Sequence, residues 1–526
     1  MPLSLALILA ISMTFNGYQF FIDDTTYAAY AMNWQHSMHL GFNNIVHHTT
    51  AIEHSRFWLA LYPMGQTLLS DLSGVPVILV FSNYLELFLV PLAVITAYWF
   101  TRVLGLSQKI AGAAVFIQML LYTMMVDEAW PVGFWFFQNM AEDKVSATFL
   151  LAPVFFAFVL VFLRSPTVRA GALVLIAGVG LMLTHPVILF LSCAIAGGLA
   201  VLSVLLKKTG WLSVLQLAAI IVVILLPYLG VRLSNHASQA LITYDAESVS
   251  TTFQAERYVH VVSHRFYGLN PEVLKLLNIP PESNFYSSFQ IFRLVPVTLV
   301  LLALILAFLK LRSGELYWGY IIICALLVAF ATIPYTGWIL GYFISARMLP
   351  RVSWFSPMGL AGALLITFLL EGMKLIKARE KLVKSPEKNP RQLDSTTKGF
   401  MVELMFAAIM LVSVLFPRAE AYFEVLDSNQ QLARVGQYID QSAETFATTI
   451  ALDYTTIQLL PSVSAQASLI SFREEKDYNP HNYFLSIDQI HERMDASNTI
   501  RSLEASIPAD ERCRLLEKYH VEFVLT

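Results

Sequence analysis

Asp23 and Asp24 stand side by side where an apolar stretch ends, in "FNGYQFFIDDTTYAAY". A carboxylate beside a like charge holds its proton more tightly. That suits it to take a proton from a weakly acidic hydroxyl. An acid pair is also an ordinary polar stop for an apolar helix. A second acidic group, Glu142 and Asp143, precedes Lys144 in "NMAEDKVSATF", directly before another apolar run. Acids from two loops at one depth could converge on a sugar hydroxyl or on a divalent metal. Carboxylate oxygens suit Mg²⁺ or Mn²⁺, and Asp23, Asp24, Glu142 and Asp143 would then be the ligands. "EDK" also reads as a solvated helix start.

Two arginines, Arg347 and Arg351, lie in "GYFISARMLPRVSWFSPMG". Guanidinium forks bind phosphate bidentately. Trp338, Tyr342, Phe343, Trp354 and Phe355 surround them, a mix that suits a lipid phosphate and equally an interfacial anchor. His185 precedes Pro186 inside one long apolar run. It could hold a phosphate oxygen or a sugar hydroxyl, or simply shape a turn. His36, His39, His47, His48 and His54 cluster early, but there is no HExxH, and loop histidines are the default. The cysteines, Cys193, Cys324 and Cys513, suggest neither a disulfide framework nor a zinc quartet.

The elements that position these residues are membrane helices. The chain has 526 residues, 56% hydrophobic and 13% charged, against about 25% charged in soluble domains. A net charge of −3 gives no case for nucleic acid. A bilayer core needs about 20 apolar residues per helix. Eleven stretches qualify: 2–21, 75–98, 108–125, 145–163, 170–184, 187–206, 212–231, 292–309, 317–334, 355–373 and 399–416. The fifth and sixth come from one run broken at Pro186. The first lacks a basic lead and a clear cleavage site. It reads as an uncleaved span, with the given start expected to lie a few residues late. Threaded alternately, the eleven spans put Arg102/Lys109, Arg164/Arg169, Lys207/Lys208, Lys310/Arg312 and the basic stretch 374–398 on one side. By the positive-inside rule that side is the cytoplasm. The expected location is the cell membrane, multi-pass, with the N-terminus inside and the C-terminus outside.

The outer side then holds loops 22–74, 126–144, 232–291 and 335–354, and all 12 histidines. No GxxxxGK[ST] loop appears, so a cytoplasmic ATP-driven engine is not expected. Residues 1–416 are expected to form a helical membrane domain, and 417–526 a small outer α/β domain. "TFATTIALDYTTIQLLPSVSAQASLISF" reads as strand, helix, strand, and "PADERCRLLEKYHVEFVL" as helix then strand. The chain stops in that strand, which fits either a final strand or a shortened domain.

The order is an acidic pair after span 1, a long helical first loop and a second acidic motif before span 4. Arginines in a late outer loop and an outer α/β tail complete it. This resembles the GT-C superfamily of polytopic glycosyltransferases, which includes protein O-mannosyltransferases and aminoarabinose transferases of lipid A. "DDTTYAAY" is similar to the first-loop acidic motif and "AEDKVSA" to that of the second loop. The resemblance implies transfer, with inversion, of a sugar from a polyprenyl-phosphate donor to an extracytoplasmic glycan, lipid or protein. It implies Asp24 or Asp23 as base, Glu142 and Asp143 as positioning groups, with His185 a candidate beside them. Lys144, Arg347 and Arg351 would be donor-phosphate ligands. No WWDYG-like sequence is present, which disfavours oligosaccharyl transfer to asparagine. The rivals are a secondary transporter, for which Glu86 inside span 2 would be a proton relay, and a surface-glycan polymerase or ligase. A transporter is expected to show inverted repeats and broken mid-span helices. No repeat is visible, and the polar features sit at span ends.

Overall fold

The computed structural model describes residues 2–15, 22–37, 61–126, 132–238, 294–332, 336, 340, 346–384, 416–444, 446–471, 487–502 and 507–525. It is mostly helical, with one small parallel sheet. The chain forms two compact units. One comprises Met1–Phe15 with Leu87–Arg418, the other Asn16–Glu86 with Ala419–Thr526.

The first unit draws on α1 (Pro2–Thr14), most of α4 (Val77–Val103), α5 (Gln108–Thr123), α6 (Val132–Gln138) and α7 (Asp143–Arg164). Then come α8 (Val168–Thr184), α9 (Pro186–Leu205), α10 (Trp211–Ser238), α11 (Leu294–Lys310) and α12 (Leu316–Thr332). A 3₁₀ segment, Ala346–Phe355, leads into α13 (Met358–Lys384). Among the described residues, five stretches are long and apolar enough to cross a membrane: α4, α7, α9, Trp211–Gly230 of α10, and Arg351–Met373. α1, α8 and most of α12 are shorter apolar helices. The expected span 399–416 lies outside the described residues except for Phe416, as do residues 16–21 of the first.

Hydrogen-bond demand explains the helices. Lipid offers no partners to a bare backbone, so each segment must satisfy its own. The break at Pro186 is as the sequence predicts. Pro186 opens α9, where its missing N–H costs nothing. His185 is the cap, its Nδ1 accepting from Ile188 N at 3.4 Å. α5 packs on α1 and α13, α11 on α12 and α13, and α7 on α8 and α9. The α5–α13 contact depends on Gly359. A Cβ there would lie 2.3 Å from the Ala114 carbonyl oxygen and 2.5 Å from Gln118 Cβ.

The second unit joins α2 (Ile22–Ser37), α3 (Leu61–Ser73) and the first turns of α4 to the tail. The tail contributes α14 (Phe416–Ser442), β1 (Ala447–Ala451), α15 (Tyr454–Leu459) and β2 (Ala467–Leu469). It ends with α16 (Ile487–Arg501), α17 (Ala509–Lys518) and β3 (Val521–Leu525). The strand–helix–strand and helix–strand readings of the tail match these elements. The sheet order is β2-β1-β3, all parallel. β1 is buried on both faces, as a central parallel strand must be. Its Ile450 shares a core with Ala29 of α2 and with Ile78 and Leu79 of α4. α2 and α3, from the expected loop 22–74, and the first turns of the expected span 75–98 therefore fall in one unit with the tail. Asp440 ties α14 to the β2 approach, accepting from Ser464 Oγ at 2.5 Å and Gln466 N at 3.1 Å.

Gly359→Ala is expected to force α5 and α13 apart and to destabilise the first unit by about 1–3 kcal/mol. A lower thermal midpoint of the detergent-solubilised protein would show it. An unchanged midpoint would mean that the two backbones are not in that contact.

Candidate functional site

The charged residues flagged by the sequence in the second loop sit in the first unit, on a tight path between α5 and α7. α6, "VGFWFFQ", is buried along its length. Gly133 lets it lie against the end of α5, since a Cβ there would meet the Tyr122 carbonyl oxygen at 1.9 Å. Phe134 N donates to Met125 O at 3.1 Å, fixing the approach. The chain then turns twice. Asn139 N donates to Trp135 O and Glu142 N to Asn139 O, each at 3.1 Å. Ser146 Oγ donates to Met140 O at 2.6 Å and closes the turn onto α7.

This path buries Glu142, Asp143 and Lys144, each under 5% exposed. Such charges are kept inside only with partners. Lys144 Nζ lies 2.8 Å from Glu142 Oε2. It also stands 5.2 Å above the centroid of the Trp135 ring. Arg351 is the second cation on that ring, 5.9 Å from the Trp135 centroid and 5.9 Å from that of Trp354. The two indoles are 5.5 Å apart. Trp354 continues to Phe149 at 5.8 Å, and Phe149 to Phe136 at 5.3 Å. The result is two cations over a shared indole, with an aromatic wall beside them. Behind that wall lies a cavity of about 80 Å³ bordered by Tyr122, Phe149, Tyr320 and Trp354.

Two local features mark this as more than a helix start. A π-helical turn, Ala147–Leu151, follows directly in α7, and such turns are frequent at functional sites. Asn139 is fully buried, and neither polar atom of its amide has a hydrogen-bond partner among the described residues. A buried amide left so is expensive in a folded protein, and a ligand atom would relieve it.

Of the residues picked from the sequence, Glu142, Lys144 and Arg351 come together here. Asp143 is adjacent, but its Oδ1 accepts from the Lys144 N–H at 2.6 Å, a bond at the helix start. His185 is buried as the α9 cap, and α8 before it packs on the first turn of α7. Asp23 and Asp24 fall in α2, in the second unit. Their side chains, and that of Arg347, lie outside the described ones. The histidines from His39 to His54 lie outside the described residues altogether. Among the described residues, no three His, Cys, Asp or Glu converge as metal ligands. Sequence reasoning missed Trp135 and Asn139. Trp135 sits in a run of aromatics that reads as plain core, and only the unusual density of that run could have drawn notice.

The solved structures similar to this chain include three of an oligosaccharyltransferase of the archaeon Archaeoglobus fulgidus. One is AglB with an inhibitory peptide and a dolichol-phosphate, at TM-score 0.47 and 10% identity, covering 99% of this chain and 69% of that one. The apo form gives 0.47 and 12%, covering 100% and 69%. A form tethered to an acceptor peptide with the NVT sequon gives 0.46 and 12%, covering 99% and 68%. No protein-family model and no curated protein matches the chain. At these values the likeness assigns no residue a role.

Lys144→Met is expected to strand the buried Glu142 carboxylate and destabilise the protein by about 3–5 kcal/mol. Adding Glu142→Gln should restore most of that loss, because the pair is then removed together. A double-mutant cycle on thermal midpoints measures the coupling. Strict additivity would show that the two charges do not interact.

Proposed function

We propose that the chain is a membrane glycosyltransferase of the GT-C kind. It takes a sugar from a polyprenyl-phosphate donor and passes it to an extracytoplasmic acceptor. The observation that carries this reading is Trp135, which holds Lys144 and Arg351 over one ring at the head of a candidate membrane span. A buried ammonium and a half-buried guanidinium beside an aromatic wall suit a phosphate that ends in an apolar chain. The sequence resemblance supports the same reading through "DDTTYAAY" and "AEDKVSA".

The chemistry follows from where charge develops. The acceptor hydroxyl oxygen forms a bond to the anomeric carbon while the bond from that carbon to the phosphate oxygen breaks. The hydroxyl proton goes to a carboxylate, for which the sequence offers Asp24 or Asp23. The electron pair leaves on the lipid phosphate, whose added charge Lys144 and Arg351 stabilise. Cations already in place need no reorganisation when the charge appears, and an apolar surround strengthens them. Glu142 sets the position of the Lys144 ammonium. The Asn139 amide gives a sugar hydroxyl or phosphate oxygen a donor. No step is routed through a metal. If Mg²⁺ or Mn²⁺ is bound, Glu142 and Asp143 are the carboxylates of the first unit that would hold it.

The test is release of polyprenyl phosphate by the reconstituted protein given polyprenyl-phosphate sugars and a membrane glycan extract. Release should fall by about 10²–10⁴-fold in whichever of Asp23→Asn and Asp24→Asn removes the base. Full activity in both single variants and in the double variant would sink the mechanism. Asn139→Ala separates function from folding. Its amide has no hydrogen-bond partner among the described residues, so the thermal midpoint should hold or rise while release drops. A midpoint that falls with activity would make Asn139 a structural residue.

A further inference from the structure

The second unit holds a cavity of about 220 Å³ that the proposed reaction does not use. All of its lining residues belong to that unit. α2 supplies Met32 and Gln35, the corner between α3 and α4 supplies Ser70, Asp71 and Val75, and α14 supplies Gln437.

The walls are fixed by the protein itself. α3 turns Gln66, Thr67 and Ser70 inward and leaves Leu61, Leu68, Leu69 and Leu72 exposed. Ser70 Oγ donates to Val75 O at 2.6 Å, and Val75 N donates to Ser73 Oγ at 3.3 Å. These bonds close the corner on itself. α3 also packs on the π turn Val80–Tyr84 of α4. On the α14 side, Gly436 lets the helix lie against the segment that follows α15. A Cβ there would meet the Val463 carbonyl oxygen at 2.1 Å, and Val463 itself lines the cavity. Small-ligand sites are pre-formed hollows of this kind.

The polar groups on these walls select a chemistry. Gln35 Nε2 donates to Asp71 Oδ1 and so orients the carboxylate. Asp71 Oδ2, Gln35 Oε1 and the whole Gln437 amide have no hydrogen-bond partner among the described residues. No Lys, Arg or His lines the cavity among those residues. An anion would therefore meet Asp71 as a like charge with nothing to offset it. An ammonium would satisfy Asp71, but it only donates, and would leave the remaining amide N–H groups unmatched. A hydroxyl donates and accepts, as a carboxamide does. A ring with neighbouring hydroxyls can thus pair with both amides and donate to Asp71 Oδ2. Met32, Val75 and Val463 give the C–H face of such a ring an apolar surface.

We propose that this cavity is a binding site for a neutral saccharide unit. It shares no residue with the Lys144–Arg351 pair, and it is inferred from its own walls without appeal to the transfer reaction.

The detergent-solubilised full-length chain on a glycan array tests this. The array carries neutral, amine-bearing and uronic-acid glycans. Wild type runs beside Asp71→Asn and Gln437→Ala. An asparagine at 71 still accepts from Gln35 but turns an amide N–H toward the ligand. Gln437→Ala removes an amide that makes no hydrogen bond within the described protein, so its thermal midpoint should hold. Expected are retention of neutral glycans by wild type and a loss of about tenfold or more in both variants. The two substitutions lie on different helices, so if one lowers the midpoint the other decides. Absence of any retained neutral glycan would overturn the proposal. So would retention equal to wild type in a folded variant, or a preference for amine-bearing or acidic glycans. Polyprenyl phosphate release is not read here, so a failure leaves the proposed reaction standing, and the reverse.

Discussion

A charge taken into an apolar helical unit has to bring its partners with it. Glu142 and Lys144 obey this at the head of α7, and the neighbouring structure follows from their need. The ammonium is shared between a carboxylate and the face of Trp135. Trp135 must therefore be rigid, which explains a short helix buried along its length and seated by a glycine against the end of α5. Arg351 reaches the same indole from the far end of the unit's sequence, so one ring gathers cations from two loops about 200 residues apart. The arrangement contributes less to stability than an apolar core of the same size would. Its value lies in holding positive charge where water is scarce.

The second unit answers a different constraint. Among the described residues, three parallel strands give one buried strand between two neighbours, too little to make a core alone. The deficit is made up by α2 and by the first turns of α4, which bring Ala29, Ile78 and Leu79 to the apolar cluster around Ile450. At the π turn, Asn429 Nδ2 donates to Asn83 Oδ1 at 3.0 Å and Tyr422 Oη to Asn83 O at 3.1 Å. Burial pushes the Tyr422 phenol up to about 12, with Tyr84 and Glu86 adding to the rise. It therefore stays a neutral donor across the physiological range. Glu86, which reads from the sequence as a lone carboxylate in a span, is buried in this neighbourhood.

What was legible in the sequence was local. Apolar runs of membrane length, a proline at a break, and alternating strand and helix in the tail each declare themselves within some twenty residues. The cations and acids of the site stood out because charge in an apolar context is rare. Asn139 did not, since an amide in a loop is ordinary until its surroundings are known. Trp135 was hidden by aromatic neighbours on both sides. The composition of the second unit was not legible either, because nothing in residues 16–86 announces a partner in the tail. The outward direction of the α3 leucines was not legible either. Their spacing shows an apolar face clearly, and only packing tells that it points outward.

The second unit is drawn from two segments with Leu87–Arg418 between them. A ribosome adding about 5–20 residues per second needs on the order of half a minute to cross that interval. Through that time Ala29, Ile78 and Leu79 are made but their strand partner Ile450 is not. Closure of this core is therefore a late event, and it can occur only after the intervening helices have been synthesised. The unit whose residues begin at Asn16 is in this sense a check on completion. A chain halted partway would display an apolar patch with nothing to cover it, which is the kind of surface that quality-control proteases and chaperones recognise.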